Sequence, residues 1–129
     1  MTLFSKIIAG EIPSYKIAED ENFYAFLDIN PLTKGHTLVV PKIEEDYIFN
    51  LNDEILGNLM IFSKKVAQAI EKSIPCARIG VTVIGLEVPH AHIHLIPIQN
   101  ESDMNLKNPK LKLSAEEMTK IAERIRNNF

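Results

Sequence analysis

Apolar residues recur along this chain at two different periods, which predict strands in some segments and helices in others. Five segments that are rich in β-branched and aromatic residues, and are bounded by turn residues, predict strands: residues 14–19, 23–28, 36–41, 77–84 and 88–98. Only Gly85, Leu86 and Glu87 separate the last two segments. We therefore expect a tight antiparallel turn between the fourth and fifth strands.

Helical spacing of apolar residues appears in three segments, and each begins at a residue that can cap a helix. Thr2 can cap a short helix over residues 2–9, and Asn52 can cap the longest helix. The last helix begins with a capping box formed by Ser114 and Glu117. It is expected to bury the apolar residues Met118, Ile121, Ala122 and Ile125.

The order of these segments predicts the fold class. Consecutive strands with short links, and helices that stand apart from them, are typical of α+β proteins with an antiparallel sheet. We expect a five-stranded antiparallel sheet with two main helices. No repeat and no shift in composition indicates a second unit, so residues 1–129 are expected to form one domain, with residues 98–129 as its C-terminal loop and helix.

Composition and charge narrow the function classes. The 129 residues carry a formal net charge of −3, and the lysines are scattered, so no basic surface for nucleic acid is indicated. A single cysteine, Cys76, excludes an internal disulfide and a multi-cysteine zinc site. No apolar run is long enough to span a membrane, and Lys6 and Glu11 interrupt the N-terminal segment, which therefore does not resemble a signal peptide. We expect a soluble cytoplasmic protein without a nucleic-acid or membrane partner.

Three of the four histidines stand at every second position of one short segment, VPHAHIHLIP, residues 88–97. Pro89 and Pro97 argue against a helix there. If the segment is a strand, His90, His92 and His94 share one face, because successive side chains of a strand point to opposite faces. The other face, which we expect to be buried, holds Ala91, Ile93 and Leu95.

Two explanations of this pattern do not involve catalysis. A shared metal ion is one, but His90 and His94 would start about 13 Å apart along a straight strand, so only an adjacent pair could bind it, with His36 completing the site. A purely structural role is the other. Three neutral imidazoles on one face would each need a donor and an acceptor, a requirement that threonine or valine would avoid.

Nucleophilic catalysis by a neutral imidazole accounts for the pattern more directly. Histidine can attack phosphorus and form a covalent intermediate, provided that one ring nitrogen is free and the other is held as a donor. Neighbouring imidazoles can donate to the phosphoryl oxygens as charge develops. His92 is the position with a histidine on each side.

The run from His90 to Ile96 resembles the pattern His-φ-His-φ-His-φ-φ of the histidine triad (HIT) family, where φ is apolar. Residues 4–13, 26–31 and 35–42 are similar to the family's opening helix and central strands, so the resemblance covers residues 3 to 98 in the family's order. The Hint-like branch is the most similar. The resemblance implies a nucleotide hydrolase or transferase that acts at the α-phosphate of purine nucleotides through a nucleotidyl-histidine intermediate, without a metal or another cofactor.

The resemblance also implies roles for particular residues. His92 would be the nucleophile, His90 and His94 would orient it and bind the α-phosphate, and His36 would lie beside them. Asp28 would bind the ribose. The cleft for the purine would be lined by Phe4, Ile7, Phe26, Ile29 and Leu38.

The segment before the triad departs from the family pattern. Many members carry a Gly-rich loop with Asn and Gln there, whereas this chain is shorter and has Leu86 and Glu87. A carboxylate at position 87 would repel a phosphate unless it is protonated or hydrogen-bonded. The leading hypothesis is a nucleoside 5′-phosphoramidate hydrolase, and the alternatives are a dinucleoside polyphosphate hydrolase of the Fhit type and a nucleotide-binding or scaffolding module.

The resemblance further implies a homodimer in which two five-stranded sheets join into one of ten strands. The predicted strand over residues 77–84 has one apolar face and is expected to lie at a sheet edge, which proteins usually cover or pair. The long helix also carries apolar residues outside its core stripe, Leu56, Met60 and Ile61. A two-fold interface would cover both surfaces.

Overall fold

The computed structural model describes all residues from 1 to 129. It contains the helices α1 (Leu3–Ile8), α2 (Asp53–Ser73) and α3 (Ala115–Asn127), and the strands β1 (Lys16–Glu19), β2 (Phe23–Leu27), β3 (Thr37–Pro41), β4 (Arg78–Thr82) and β5 (Ile93–Ile98). The strands form one antiparallel sheet in the order β1-β2-β3-β5-β4. The predicted α+β class and the five-stranded antiparallel sheet are confirmed.

The three helices begin where the sequence predicts. The side chains of Thr2, Asn52 and Ser114 each accept a hydrogen bond from the backbone N–H three residues further along, which satisfies a donor that has no partner inside the helix. The capping box of α3 is only half formed. The carboxylate of Glu117 pairs with Lys34 Nζ at 3.1 Å, which removes it from the start of its own helix.

The sheet is covered on both faces, and the alternation of side chains along β2 shows how. Phe23, Ala25 and Leu27 point into the larger core, which α2 and α3 cover. Tyr24 and Phe26 point the other way, into a smaller core that α1 covers with Phe4 and Ile7. Because both faces are buried, every residue of β2 and of β3 is buried. The α1 side of the sheet is the side on which the candidate site lies.

The fifth strand is shorter than predicted, and two of the three histidines lie outside it. β5 begins at Ile93, and only His94 of the three is a strand residue, so the prediction of a strand from residue 88 is wrong. β4 ends opposite His94, which leaves the preceding residues without a partner on that side. On the other side, the carbonyl of Pro41 is hydrogen-bonded to the imidazole of His90 instead of to a backbone N–H. The predicted burial of Ala91, Ile93 and Leu95 is confirmed.

The connection between the last two strands also differs from the prediction. β4 and β5 pair in antiparallel fashion, but residues 83–92 separate them, so the predicted tight turn at Gly85 to Glu87 is wrong. Gly85 has a φ of 73°, a backbone conformation that favours glycine. We call residues 83–92 the triad loop, because this segment carries two of the triad histidines past the end of the sheet.

The segment between β5 and α3 folds back across the molecule. After a 3₁₀ turn at Glu101–Met104, the backbone N–H of Leu111 donates to the carbonyl of Pro31 at 2.8 Å. Met104 packs against Gly80 of β4, where a side chain would collide with its sulfur. Residues 99–113, which we call the tail, are thereby attached to the loop that follows β2.

β4 lies at an edge of the sheet, as predicted. Pairing of two such edges into a ten-stranded sheet stays a prediction. None of the helices combines the length and the apolar character that a bilayer-spanning helix needs.

Candidate active site

A cleft of about 880 Å³ opens on the α1 side of the sheet. All the residues predicted for the site line it except His90, which is fully buried. The predicted residues in the cleft are Phe4, Ile7, Phe26, Asp28, Ile29, His36, Leu38, Glu87, His92 and His94. The fold therefore brings together residues from α1, from the central strands and from the triad loop.

The apolar wall of the cleft meets the histidines at Phe4. The ring centroid of Phe4 lies 5.5 Å from that of Phe26 and 5.0 Å from that of His92, in both cases edge to face. Ile29 lies at the cleft as well, but 71% of its surface is exposed. A flat apolar ligand in this cleft would therefore lie next to the imidazole of His92.

A main-chain carbonyl fixes the tautomer of His92. Nδ1 of His92 lies 2.7 Å from the carbonyl oxygen of His90. A carbonyl only accepts hydrogen bonds, so Nδ1 carries the hydrogen and Nε2 keeps its lone pair. Burial is the largest influence on this imidazole and lowers its pKa below the ordinary 6.5, although the bond to His90 opposes the shift. At neutral pH the ring is uncharged, with Nε2 free to act as a nucleophile.

His90 is held on both sides of its ring. Nε2 lies 2.7 Å from the carbonyl of Pro41 and must donate to it, so Nδ1 accepts a hydrogen bond from the hydroxyl of Thr2, also at 2.7 Å. Thr2 in turn accepts from the backbone N–H of Ser5, and both residues donate to Glu44 at 2.6 Å. His90 therefore positions the carbonyl that orients His92. The sequence indicated Thr2 only as a helix cap, and no local signal indicates its contact with a residue so far along the chain.

His36 and His94 form a second hydrogen-bond chain. The backbone N–H of Leu32 donates to Nδ1 of His36 at 3.0 Å, so Nε2 of His36 carries the hydrogen. That N–H donates to Nδ1 of His94 at 3.0 Å. Burial lowers the pKa of His36 to about 3 and that of His94 to about 4, so both rings are neutral at pH 7. Because Nδ1 of His94 accepts this hydrogen bond, Nε2 of His94 carries the hydrogen and remains free to donate to a ligand.

The two free ring nitrogens, Nε2 of His92 and Nε2 of His94, face accessible space. Neither has a hydrogen-bond partner within the protein, and no buried side-chain nitrogen or oxygen lacks a partner. The ring centroids of His92 and His94 are 5.0 Å apart. The cleft therefore offers a nucleophile and a hydrogen-bond donor side by side, a combination suited to attack on a phosphoryl group.

Asp28, His36 and His94 bring their ligand atoms within 4.8 Å of one another, which is close enough to suggest a metal site. The positions of the ring hydrogens argue against a metal ion at this place. Nε2 of His36, the nitrogen that faces the other two groups, carries a hydrogen because Leu32 occupies Nδ1, and a protonated nitrogen has no lone pair for a metal. We therefore describe His36 and His94 as a hydrogen-bonded pair, with the carboxylate of Asp28 beside it. That no metal is required stays a prediction.

Asp28 presents a carboxylate to the same part of the cleft. Oδ1 accepts from the backbone N–H of Asn30 at 2.9 Å, and Oδ2 lies 3.7 Å from Nε2 of His36. Burial raises the pKa of this carboxyl, and the bond from Asn30 opposes the shift. A ligand that donates hydrogen bonds to Asp28 would replace the water that burial removes.

The triad loop contributes Leu86 and Glu87 to the rim of the cleft. Leu86 is 88% exposed, and Glu87 is exposed too. The charge of Glu87 acts on two groups of the cleft: it adds to the effect of burial on the pKa of Asp28 and opposes the effect of burial on the pKa of His92. The loop thus brings a negative charge to the His92 side of the cleft.

The tail supplies lining residues that sequence reasoning missed. Leu106, Lys107 and Lys110 line the cleft. The positive charge of Lys110 is one of the causes that lower the pKa of Asp28, after the bond from Asn30. Nothing in the local sequence of the tail indicates this contact, since it results from the way residues 99–113 fold back onto the loop that follows β2.

Comparison with known proteins gives a consistent result. Residues 9–101 match the HIT domain family. An uncharacterized HIT-like protein of Borreliella burgdorferi is 36% identical over 135 residues, with 98% of this chain and 97% of that protein covered. Adenosine 5′-monophosphoramidase hnt1 of Schizosaccharomyces pombe is 35% identical over 125 residues, with 95% and 94% covered. The crystal structure of a Hit-like protein involved in cell-cycle regulation from Bartonella henselae superposes with a TM-score of 0.85 at 29% identity, with 99% and 96% covered.

Proposed function

Because this chain belongs to the histidine triad family, we propose that it hydrolyses purine nucleotides at the α-phosphate through a covalent intermediate on His92. The observation that carries the proposal is the hydrogen bond from Nδ1 of His92 to the carbonyl of His90, at 2.7 Å. It leaves Nε2 as the one nitrogen of this ring with a free lone pair. A nucleophile needs that lone pair in a fixed orientation.

The reaction has two displacements at phosphorus. In the first, Nε2 of His92 forms a bond to the α-phosphorus while the bond from phosphorus to the leaving group breaks, and the leaving group takes up a proton from the solvent. The imidazole becomes positively charged, and the carbonyl of His90 stabilises that charge by accepting from Nδ1–H. In the second, water attacks phosphorus and loses a proton to the solvent while the bond from phosphorus to Nε2 breaks, which releases the nucleoside monophosphate and neutral His92. The Nε2–H of His94 stabilises the negative phosphoryl oxygens in both steps.

The rest of the cleft suits a purine nucleoside. The apolar wall formed by Phe4, Ile7, Phe26 and Leu38 would contact the base, with Ile29 at the mouth. Asp28 would accept hydrogen bonds from the ribose hydroxyls, and a carboxylate can accept from both. The purine and the ribose would then hold the α-phosphate beside His92, so that attack occurs within a bound complex.

The leaving group that we propose is an amine, which makes the protein a nucleoside 5′-phosphoramidate hydrolase. The name of the relative from Schizosaccharomyces pombe, an adenosine 5′-monophosphoramidase, supports this choice. Glu87 supports it too, since a carboxylate on the His92 side of the cleft disfavours an anionic leaving group there. A dinucleoside polyphosphate hydrolase is the second candidate. Lys107 and Lys110, which line the cleft, favour it because their positive charges would attract a polyphosphate.

Turnover of adenosine 5′-phosphoramidate and of diadenosine polyphosphates, measured in parallel, tests the proposal. Faster turnover of the phosphoramidate, by a larger kcat/KM, is the expected result. Faster turnover of the polyphosphates would instead support the second candidate. Binding of AMP without turnover of either substrate would contradict both and support a nucleotide-binding module. His92→Ala serves as the control that separates this site from a contaminating phosphatase.

We further propose that the protein is a homodimer built on β4 and α2. Met60 and Ile61 of α2 are 50% and 56% exposed, and Val81 and Val83 at the sheet edge are 47% and 40% exposed. An edge strand with exposed apolar side chains tends to pair with another chain. A second copy placed by a two-fold axis would cover both elements at once.

A further inference from the structure

The tail reaches the cleft, although residues 102–113 of it lie beyond the segment that matches the family. That match ends at residue 101, whereas Leu106, Lys107 and Lys110 line the cleft. The bond from Leu111 N–H to the carbonyl of Pro31 fixes the neighbour of Lys110 to the loop that follows Asp28. The tail is therefore part of the wall of the cleft.

The two lysines bring positive charge that no carboxylate neutralises. Neither Lys107 nor Lys110 takes part in any of the ion pairs within 4.0 Å. The ammonium group of Lys110 donates to two carbonyls of its own loop, those of Leu106 and Asn108. An ammonium has three donors, so one remains for a ligand, while the two carbonyls hold the side chain in place.

Residues of opposite charge line the cleft. The charge of Lys110 acts on Asp28 and His36, and the charge of Glu87 acts on Asp28 and His92. An anionic group in the cleft would be attracted to Lys110 and repelled by Glu87.

We propose that Lys110, with Lys107 beside it, binds a second anionic group of the nucleotide substrate, in addition to the α-phosphate. This inference rests on the proposed function, because it requires a nucleotide in the cleft. The chemistry of the group is that of a phosphate or a carboxylate. Two sources can supply it: a substituent on the ribose, which would lie close to Asp28, or a phosphate beyond the α-phosphate. Lys110 is thus a residue that determines specificity and takes no part in bond breaking.

Isothermal titration of the full chain with three nucleotides tests the proposal. The nucleotides are AMP, ADP and adenosine 3′,5′-bisphosphate, and His92→Asn is present in every protein so that none of them is turned over. We expect one of the two nucleotides with a second phosphate to bind more tightly than AMP. Tighter binding of ADP would indicate that the second anionic group lies beyond the α-phosphate, and tighter binding of the 3′,5′-bisphosphate would indicate that it lies on the ribose. Raising the ionic strength should reduce the difference in affinity between that nucleotide and AMP.

Lys110→Gln is the decisive variant, and Lys112→Gln is its matched control. Lys112 is exposed, lies in the same tail and does not line the cleft. Lys110→Gln should weaken binding of the favoured nucleotide by about fivefold, the effect of an exposed charged contact, and leave AMP binding nearly unchanged. Lys112→Gln should change neither.

The outcomes separate this inference from the function on which it rests. Equal binding of all three nucleotides, or equal losses in Lys110→Gln and Lys112→Gln, would overturn the role of Lys110 and leave the nucleotide site intact. Absence of AMP binding would overturn both.

Discussion

At the scale of single residues, the tautomers of the histidines determine what the cleft can do. Three of the four rings have one nitrogen fixed by a main-chain group that can only donate or only accept: the carbonyl of His90 for His92, the carbonyl of Pro41 for His90, and the N–H of Leu32 for His36. The central position of His92 among the histidines, together with the family resemblance, predicts that His92 is the nucleophile. The sequence could not predict which nitrogen is free, because the fixing groups come from distant parts of the chain.

Thr2 is predicted to act on the site through His90. Replacement of Thr2 by valine removes both the cap of α1 and the only hydrogen bond to Nδ1 of His90, which is fully buried. We expect the free energy of unfolding to fall by about 1–3 kcal/mol, the cost of an unsatisfied buried acceptor. We also expect kcat to fall more than KM rises, since His90 positions the nucleophile.

Thr2→Ser and Thr2→Asp are the controls for that experiment. Serine keeps the hydroxyl and should restore stability and kcat. Aspartate caps the helix equally well but cannot donate to Nδ1, so it should restore helix capping and not the hydrogen bond to His90. If valine, serine and aspartate variants had the same kcat, Thr2 would act only as a cap. Urea denaturation and steady-state kinetics supply the two measurements.

A metal ion is predicted to be unnecessary for turnover. The close approach of Asp28, His36 and His94 makes the test worthwhile, and the hydrogen on Nε2 of His36 gives the reason for the expectation. Exhaustive dialysis against a chelator should leave kcat/KM for the phosphoramidate unchanged. Loss of activity that zinc alone restores would show that His36 changes tautomer and that the three side chains bind a metal.

At the scale of elements, local signals account for the parts that were predicted well. Helix caps and the two periods of apolar residues depend on neighbours in sequence. They predicted all three helices and the order of the five strands along the chain. The start of β5 depends on a distant group, because His90 takes the carbonyl of Pro41 that a longer strand would use. The length of the triad loop also depends on a distant element, because it follows from where β4 ends. The contact of the tail with the cleft likewise depends on a distant residue, Pro31.

The junction of β3 and β5 is predicted to make stability depend on pH. His36 is 2% exposed, and its pKa is about 3 in the folded protein, against the ordinary value of 6.5 that we expect in the unfolded chain. Between these values the unfolded chain binds a proton that the folded chain does not. The free energy of unfolding should therefore be fully retained above pH 6.5 and fall below it, by about 1.4 kcal/mol per pH unit for this one proton, and His94, whose pKa is about 4, adds to the slope in the same window.

Urea denaturation at intervals between pH 7 and pH 5 measures that slope. This window lies above the range in which most carboxylates titrate. His36→Gln, which cannot titrate, should be less stable at pH 7 but should show a flatter dependence on pH. An equal slope in the wild type and in His36→Gln would show that another group is responsible.

At the scale of the whole molecule, the exposed apolar surface lies next to the candidate site. A second cavity of about 480 Å³ is lined by Tyr47, Phe49 and Val83, and it shares Leu86 and His92 with the nucleotide cleft. Tyr47 and Phe49 are 56% and 71% exposed. A partner molecule that covered this surface would also restrain the triad loop, so assembly and activity are expected to be linked.

Sedimentation equilibrium at micromolar concentration tests the homodimer. We expect a mass of about twice that of the chain, which is 14.6 kDa. Val81→Glu places a charge on the edge strand and should shift the protein toward monomer with a lower kcat/KM. Ile43→Glu, at a 54% exposed residue that lines neither cavity, is the control for an added charge elsewhere. A wild-type mass near 14.6 kDa would contradict the dimer.

The central claim is that His92 becomes covalently attached to the nucleotide during turnover. The most direct measurement is to mix the protein with adenosine 5′-phosphoramidate, quench it under alkaline conditions that preserve phosphorus–nitrogen bonds to histidine, and map the added mass by peptide mass spectrometry. One adenylyl group on His92 is the predicted result, with neither the adduct nor turnover in His92→Ala. An adduct on another residue, or near-normal turnover by His92→Ala, would contradict the mechanism.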